Sequence, residues 1–253
     1  HEPDETSATF EYVAKLHEDV TPETSEVPAE QGSSCVAAAP LPSQFPKDPE
    51  EGLVLLAPFD GIGGARRALE ILGITPALYI GIETNSACTL VVKGAWPEAI
   101  TLGDVRELDE SVLSDLLSSW PALDTGLIVG GADCQPFTSL NRDKTGFEDP
   151  RSGGIAAFVQ IVVMLRKVAP QIRWDSMLEN VASMSDADRA TITGELSPIH
   201  SQRQPFWFDA ASVGPVSRPR LYWPSWTFIG GELECKDSQR GYIRVSNPSA
   251  ERI

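Results

Sequence analysis

The chain has 253 residues and a net charge of −16, which excludes general electrostatic attraction to nucleic acid as its main mode of binding. Residues 1–50 hold 11 acidic residues against 2 Lys, and the remainder still carries −7. No apolar run is long enough to cross a membrane and no secretory signal opens the chain, so we expect no membrane partner.

The four cysteines lie far apart in the sequence, at Cys35, Cys88, Cys134 and Cys235. None belongs to a CxxC pair, so the spacing predicts neither a metal site nor a disulfide framework and favours a reducing compartment. The chain begins at His1 rather than Met, from which we expect a fragment or a processed product.

The composition divides the chain into three parts. Residues 1–50 are rich in Glu, Pro, Ser and Thr, which predicts a disordered acidic tail, with a short helix at Glu11–His17. Residues 51–228 alternate apolar strand-like runs with helical segments, which predicts one α/β domain with a mostly parallel sheet flanked by helices. Residues 229–253 form a polar C-terminal segment.

The predicted domain opens with an apolar run, Leu53–Pro58, which is typical of a buried parallel strand. Glycine-rich sequence follows, and Ala65–Leu72 is predicted to be a helix that ends at Gly73. A strand, a glycine-rich turn and a helix in succession direct backbone N–H groups at an anionic or polar ligand.

Acidic residues follow the next two predicted strands. Ala77–Ile82 ends in Glu83, about 20 residues after the glycines, where a carboxylate typically accepts hydrogen bonds from ribose hydroxyls. The alternative for Glu83 is a solvated helix cap. Ala99–Leu102 is followed by Asp104, which is either a reader of an exocyclic amine such as adenine N6 or an ordinary turn residue.

A cysteine follows the next predicted strand, Thr125–Val129, which comes after a helix predicted at Leu108–Trp120. Cys134 is thereby placed at the carboxyl edge of the sheet, where sites form, and it is a candidate nucleophile. The alternative is a small buried cysteine. The polar loop Asn141–Pro150 is predicted to form a mobile lid over it.

A carboxylate is predicted at the same edge. An apolar helix at Gly154–Val168 precedes a strand at Ile172–Leu178, which ends in Glu179. Glu179 is expected near Cys134, unless it caps the helix predicted at Ser185–Leu196.

Two further strands are predicted, at Pro205–Ala210 and Leu221–Trp226. Arg218 and Arg220 enter the second of them. They are either part of a surface ladder or donors directed into the pocket.

From about Leu53 to Trp226, these segments in this order resemble the C5-cytosine-specific DNA methyltransferase family. The resemblance implies a Rossmann-like methyltransferase fold and S-adenosyl-L-methionine as the cofactor. It rests on six short motifs: Phe59–Asp60–Gly61 with Gly63, Glu83, Asp104, Cys134–Gln135–Pro136–Phe137–Thr138, Glu179–Asn180–Val181 and Arg218–Pro219–Arg220.

The resemblance also implies a role for each residue. Catalysis would involve the Cys134 thiolate adding to C6 of a flipped cytosine in DNA, Glu179 stabilising the base at N3, and Arg220 holding its O2. Arg218 would support that loop or contact phosphate. The implied cofactor-binding residues are Phe59, Asp60, Gly61, Gly63, Glu83 and Asp104, and no metal is implied.

Two departures from the family pattern leave alternatives open. Asp133 replaces the proline that usually precedes the nucleophile, and a carboxylate there is expected to disfavour the thiolate. The 27 residues after Trp226 are too few for a full target-recognition domain, which a further domain or partner would then supply. The alternatives are a catalytically impaired regulatory or binding module and an enzyme that acts on cytosine in RNA. The expected location is nuclear in a eukaryote and cytoplasmic otherwise.

Overall fold

The computed structural model describes residues 52–138, 146, 149, 152–200, 204–226, 234–237 and 242–246. The predicted disordered tail, the helix at Glu11–His17 and nearly all of the lid at Asn141–Pro150 lie outside these residues. Within them, no helix combines the length and the hydropathy that crossing a membrane requires.

The described residues form one nine-stranded sheet. Its strands are β1 (Leu53–Pro58), β2 (Leu78–Ile82), β3 (Ile100–Leu102), β4 (Thr125–Gly131), β5 (Arg173–Val181), β6 (Phe206–Asp209), β7 (Pro219–Pro224), β8 (Glu234–Asp237) and β9 (Ile243–Ser246). Their order across the sheet is β3-β2-β1-β4-β5-β7-β6-β9-β8. The first five strands in this order are parallel to one another, β7 is antiparallel to both β5 and β6, β6 is parallel to β9, and β8 is antiparallel to β9. The predicted α/β fold with a mostly parallel sheet is confirmed.

Five helices flank this sheet within the described residues. They are α1 (Gly64–Ile71), α2 (Ser86–Ala95), α3 (Glu110–Ser118), α4 (Gly153–Val168) and α5 (Asp186–Glu195). Two successive side chains of β1 show how these helices divide between the faces of the sheet. Leu55 belongs to a buried cluster with residues of α1 and α2, whereas Leu56 belongs to a larger cluster with residues of α3, α4 and α5. The helices therefore cover opposite faces.

Helix α2 is an element that the sequence analysis missed. Thr89, Val91 and Val92 are β-branched and Gly94 is flexible, so this segment has low intrinsic helix propensity. The available signal was Asn85, whose side-chain oxygen accepts the Ala87 N–H at 2.9 Å and caps the first turn.

The sheet differs from the prediction in two further places. β5 continues to Val181, three residues beyond the predicted end, so Glu179 lies inside the strand. β9 pairs with β6, so the sheet continues past residue 228, the predicted end of the domain. The domain bounds themselves stay a prediction.

Gly126 provides a test of the packing between β4 and β5. It lies opposite Trp174 in register, and a Cβ added to Gly126 would overlap the six-membered ring of that indole. We expect Gly126→Ala to lower the free energy of unfolding by about 1–3 kcal/mol, the usual cost of overpacking. Urea unfolding followed by tryptophan fluorescence measures the change.

Gly94→Ala is the matched control because a Cβ there meets nothing within 4 Å. Gly94 is exposed in helix α2, so alanine should stabilise the protein by about 0.5–1 kcal/mol. Equal effects of the two substitutions would contradict the packing argument.

Candidate active site

The turn between β1 and α1 has an unusual backbone. Phe59 has a φ of 58°, a left-handed conformation that is uncommon for a residue with a side chain, and Gly61 and Gly63 have φ values of 57° and 85°. Strained backbone of this kind concentrates at functional sites. The Phe59 ring packs under the start of α4, where a Cβ on Gly154 would lie 3.2 Å from Phe59 Cζ.

Glu83 holds the glycine turn in place. Its Oε2 accepts the Gly61 N–H at 2.9 Å, and its Oε1 accepts the Asn85 N–H at 2.8 Å. Helix α2 is capped by the Asn85 side chain, so Glu83 is not the helix-capping side chain that the alternative interpretation expected. Both carboxylate oxygens retain lone pairs for a ligand.

The Asp60 side chain is directed at residues of β2. Its carboxylate accepts a hydrogen bond from the Tyr79 hydroxyl. A Cβ atom added to Gly81 would lie 2.5 Å from Asp60 Oδ2. Burial raises the pKa of Asp60 to about 6, with a further increase from Glu83, while the Tyr79 hydrogen bond opposes them. Asp60 therefore connects the turn to β2.

A cavity of about 450 Å³ lies along the carboxyl edge of β3, β2, β1 and β4, a size common for small-molecule sites. Of the predicted cofactor-binding residues, Phe59, Glu83 and Asp104 line it, whereas Asp60, Gly61 and Gly63 do not. The lining residues are Phe59, Ile82, Glu83, Thr84, Gly103, Asp104, Val105, Arg106, Asp133, Gly153 and Gly154.

Asp104 is engaged with its own turn as well as with the cavity. Its side chain accepts the Arg106 backbone N–H at 2.9 Å and forms an ion pair with the Arg106 guanidinium. The Arg106 side chain and backbone hydrogen bonds lower the pKa of Asp104 to about 2, so the carboxylate is ionised at neutral pH. Asp104 is thus both a turn residue and a cavity wall residue.

Cys134 lies in a tight turn just after β4. Its carbonyl accepts the backbone N–H groups of Phe137 at 3.0 Å and Thr138 at 2.9 Å. The buried Asn180 side chain donates to the Ala132 carbonyl at 3.3 Å, which ties this turn to the end of β5. The Cys134 side chain is half-buried against the larger core cluster.

Glu179 and Arg220 form an ion pair beside this turn. Arg220 Nε lies 2.7 Å from Glu179 Oε1, and Glu179 Oε2 lies over Gly131, 3.0 Å from where a Cβ on Gly131 would be. Burial raises the pKa of Glu179 despite the opposing charges of Arg220 and Arg218. The alternative, in which Glu179 caps α5, is wrong, because Ser185 caps that helix by accepting the Asp188 N–H. Among the described residues, the Cys134 thiol forms no hydrogen bond with Glu179 or Arg220.

Arg218 is exposed and is positioned through its backbone. Its N–H donates to Asp209 Oδ1 at 2.6 Å, and Asp209 Oδ2 accepts the Ser217 hydroxyl at 2.9 Å. The sequence analysis missed Asp209, although an acidic residue at the end of a strand before a turn is a recognisable signal. It also missed Arg106, because no sequence pattern at a strand end separates this cavity residue from an ordinary surface arginine.

The pH dependence of stability tests the placement of Asp60. A raised pKa in the folded state means that Asp60 contributes stability below its ordinary pKa of 3.8, and this contribution is lost as pH rises through about 6. Asn accepts the same Tyr79 hydrogen bond without ionising. Asp60→Asn should therefore gain stability relative to the wild type between pH 4 and pH 7.

Urea unfolding at several pH values measures this gain, with Glu98→Gln, a substitution of an exposed carboxylate, as the control. A stability difference that stays constant across this range would mean that Asp60 is well solvated.

Comparisons with known proteins agree with this architecture. A family model described as C-5 cytosine-specific DNA methylase matches residues 56–197. The solved structure of the Entamoeba histolytica methyltransferase EhMeth aligns with a TM-score of 0.50 at 19% identity, covering 71% of this chain and 55% of that one. At this identity the structural likeness supports the fold alone.

Two plant proteins are similar in sequence. The chain is 28% identical over 117 residues to the DNA (cytosine-5)-methyltransferase DRM2 of Oryza sativa subsp. japonica, covering 44% of this chain and 19% of that protein. It is 26% identical over 129 residues to DRM1 of Arabidopsis thaliana, covering 48% and 20%. The match thus spans about a fifth of either relative. Because the family match covers more than half of the chain, this protein belongs to the C-5 cytosine-specific DNA methylase family.

Proposed function

We propose that this protein transfers a methyl group from S-adenosyl-L-methionine to C5 of cytosine in DNA. The observation that carries the proposal is a strand-edge cavity adjoining a turn that holds a cysteine, with the Glu179–Arg220 pair over that turn. A small-molecule site and a cysteine near charged groups that can hold the base are the two parts that such a transfer needs.

The cavity residues fit the proposed cofactor. Glu83 and Asp104 are acceptors for ribose hydroxyls and the adenine amine, and the Phe59 ring offers a stacking surface. When bound, S-adenosyl-L-methionine supplies an electrophilic methyl group. Asp60 is bonded to Tyr79 and the Gly61 N–H is bonded to Glu83, so we expect these two residues to fix the turn beside the cavity.

Cys134 would activate the base. Cytosine C5 is a weak nucleophile, and a thiolate that forms a bond to C6 places electron density on C5. C5 would then take the methyl group as its bond to the cofactor sulfur breaks. A water molecule would accept the C5 proton, and the S–C6 bond would break, which restores the ring and the thiolate. The target base must leave the duplex to reach this turn.

Glu179 and Arg220 would hold the base. A carboxyl group whose pKa is raised by burial can share a proton with cytosine N3 and offset the charge that develops there. Arg220 would donate to the base O2, while the exposed Arg218 would support the loop or contact a phosphate. In this arrangement the Glu179–Arg220 pair keeps each group partnered until the base enters.

The choice of DNA follows the two plant relatives, which are named DNA (cytosine-5)-methyltransferases. Sequence recognition would come from a further domain or a partner, and a DNA substrate would place the protein in the nucleus of a eukaryote. RNA cytosine is the alternative substrate. Asp133 favours a second candidate, a catalytically impaired binding module, because it replaces the proline of the family pattern.

Covalent trapping tests the reaction. DNA that contains 5-fluorocytosine cannot lose the substituent at C5, so the wild type with the cofactor should form a denaturant-stable adduct. Cys134→Ser should form none. Glu179→Gln should form at least about tenfold less, since general acid assistance typically contributes a factor of ~10² to 10⁴.

Cys88→Ser is the matched control, because Cys88 is also a free cysteine and lies in α2, away from this turn. An adduct that forms on RNA but not on DNA would mean that the substrate is cytosine in RNA. No adduct on either polymer, with cofactor binding intact, would favour the impaired binding module.

Cofactor binding has a separate test at Glu83. Glu83→Ala removes both the ligand acceptor and the support of the Gly61 N–H, so we expect binding of S-adenosyl-L-methionine to weaken by about 1–3 kcal/mol. Isothermal titration calorimetry measures the affinity, and Glu98→Ala is the control on an exposed carboxylate. Unchanged affinity in Glu83→Ala would remove Glu83 from the site.

A further inference from the structure

The wall of the cavity follows the strand order. Asp104 comes after β3, Glu83 after β2, Phe59 after β1 and Asp133 after β4. Four adjacent strands span about 14 Å, at roughly 4.8 Å between neighbours. The cavity therefore has one end beside Asp104 and an opposite end at Asp133, directly next to Cys134.

Asp133 uses one carboxylate oxygen to support its own turn. Its Oδ1 accepts the Gln135 N–H at 2.9 Å, which fixes the start of the cysteine turn. Within the described part of the chain, Asp133 has no cationic partner: Arg106 pairs with Asp104 at the far end, and Arg220 pairs with Glu179. Its charge is therefore available to a ligand in the cavity.

The reacting sulfur of the proposed cofactor must lie at the Cys134 end, because the methyl group has to reach the base held there. This sulfur is a sulfonium cation before transfer. When the methyl bonds to C5, the electron pair of the S–CH₃ bond stays on sulfur, which becomes a neutral thioether. The ammonium and carboxylate of the amino-acid part do not change.

We propose that Asp133 is a specificity-determining residue that makes the site prefer the sulfonium form of the cofactor over its neutral thioether product. The inference rests on the proposed function and adds to it a role for the residue that replaces proline. The carboxylate attracts the positive charge before the reaction and loses that partner after it, which promotes exchange of product for fresh cofactor.

The same attraction has a cost for the chemical step. Positive charge leaves the sulfur in the transition state, so a carboxylate that stabilises the bound sulfonium stabilises the transition state less. Asp133 is therefore expected to slow methyl transfer and to weaken inhibition by the product. A proline at this position would contribute neither effect.

Asp133→Asn is the informative substitution, because the Asn side-chain oxygen can still accept the Gln135 N–H while the charge is removed. Isothermal titration calorimetry on the full chain gives dissociation constants for S-adenosyl-L-methionine and S-adenosyl-L-homocysteine. We expect the substitution to weaken the first roughly three- to tenfold, the range for a half-buried charge pair, and to leave the second within about twofold. Glu98→Gln, which changes an exposed carboxylate, should leave both constants unchanged.

An analogue that carries a protonated amine in place of the methyl sulfonium separates charge from methyl transfer, and its affinity should fall in the same way as that of S-adenosyl-L-methionine. Equal weakening of the binding of all three ligands would mean that Asp133 interacts with the ammonium group of the amino-acid part, which all three share, and would overturn the proposal. No change in any of them would overturn it as well. Absence of binding to the wild type would instead remove the proposed cofactor, and with it both proposals.

Discussion

The parallel pairing of β1 through β5 is the constraint on which the site depends. Each of Phe59, Glu83, Asp104 and Cys134 comes within three residues of a strand end, so the register of the sheet sets their relative positions. Hydrogen bonds then connect adjacent strand ends: Glu83 holds Gly61, and Asn180 holds Ala132. The site is therefore built on the rigid edge of the sheet.

The glycines at the end of β4 show how closely this edge is packed. Neither Gly130 nor Gly131 has a positive φ, so a sharp turn does not require them. A Cβ on Gly130 would lie 2.9 Å from the Phe158 ring, and one on Gly131 would lie 3.0 Å from Glu179 Oε2. Small residues here let α4 approach the sheet and let the Glu179 carboxylate lie against the strand that leads to Cys134.

Much of this arrangement could be predicted because it depends on local patterns. Apolar runs that end in Phe59, Glu83 and Glu179 identify strands and their carboxyl ends from the sequence alone. The orientation of Asp60 could not be predicted, because it depends on Tyr79, a residue of another strand. The pairing of Glu179 with Arg220 likewise depends on the antiparallel register of β5 and β7, which no local pattern specifies.

The distribution of charge also reconciles an acidic chain with the proposed polyanionic substrate. Three carboxylates and one guanidinium line the described cavity, a composition that suits a cationic cofactor. Arg218 instead lies just before β7 and Arg220 lies in that strand, where both lower the pKa of Glu179 against the effect of burial. Within the described residues, positive charge therefore lies beside Glu179, where the proposed base would enter, and negative charge lines the cavity proposed for the methyl donor. The net charge of −16 constrains recognition of the duplex as a whole, which would need cationic surface from elsewhere, but not the chemistry at Cys134.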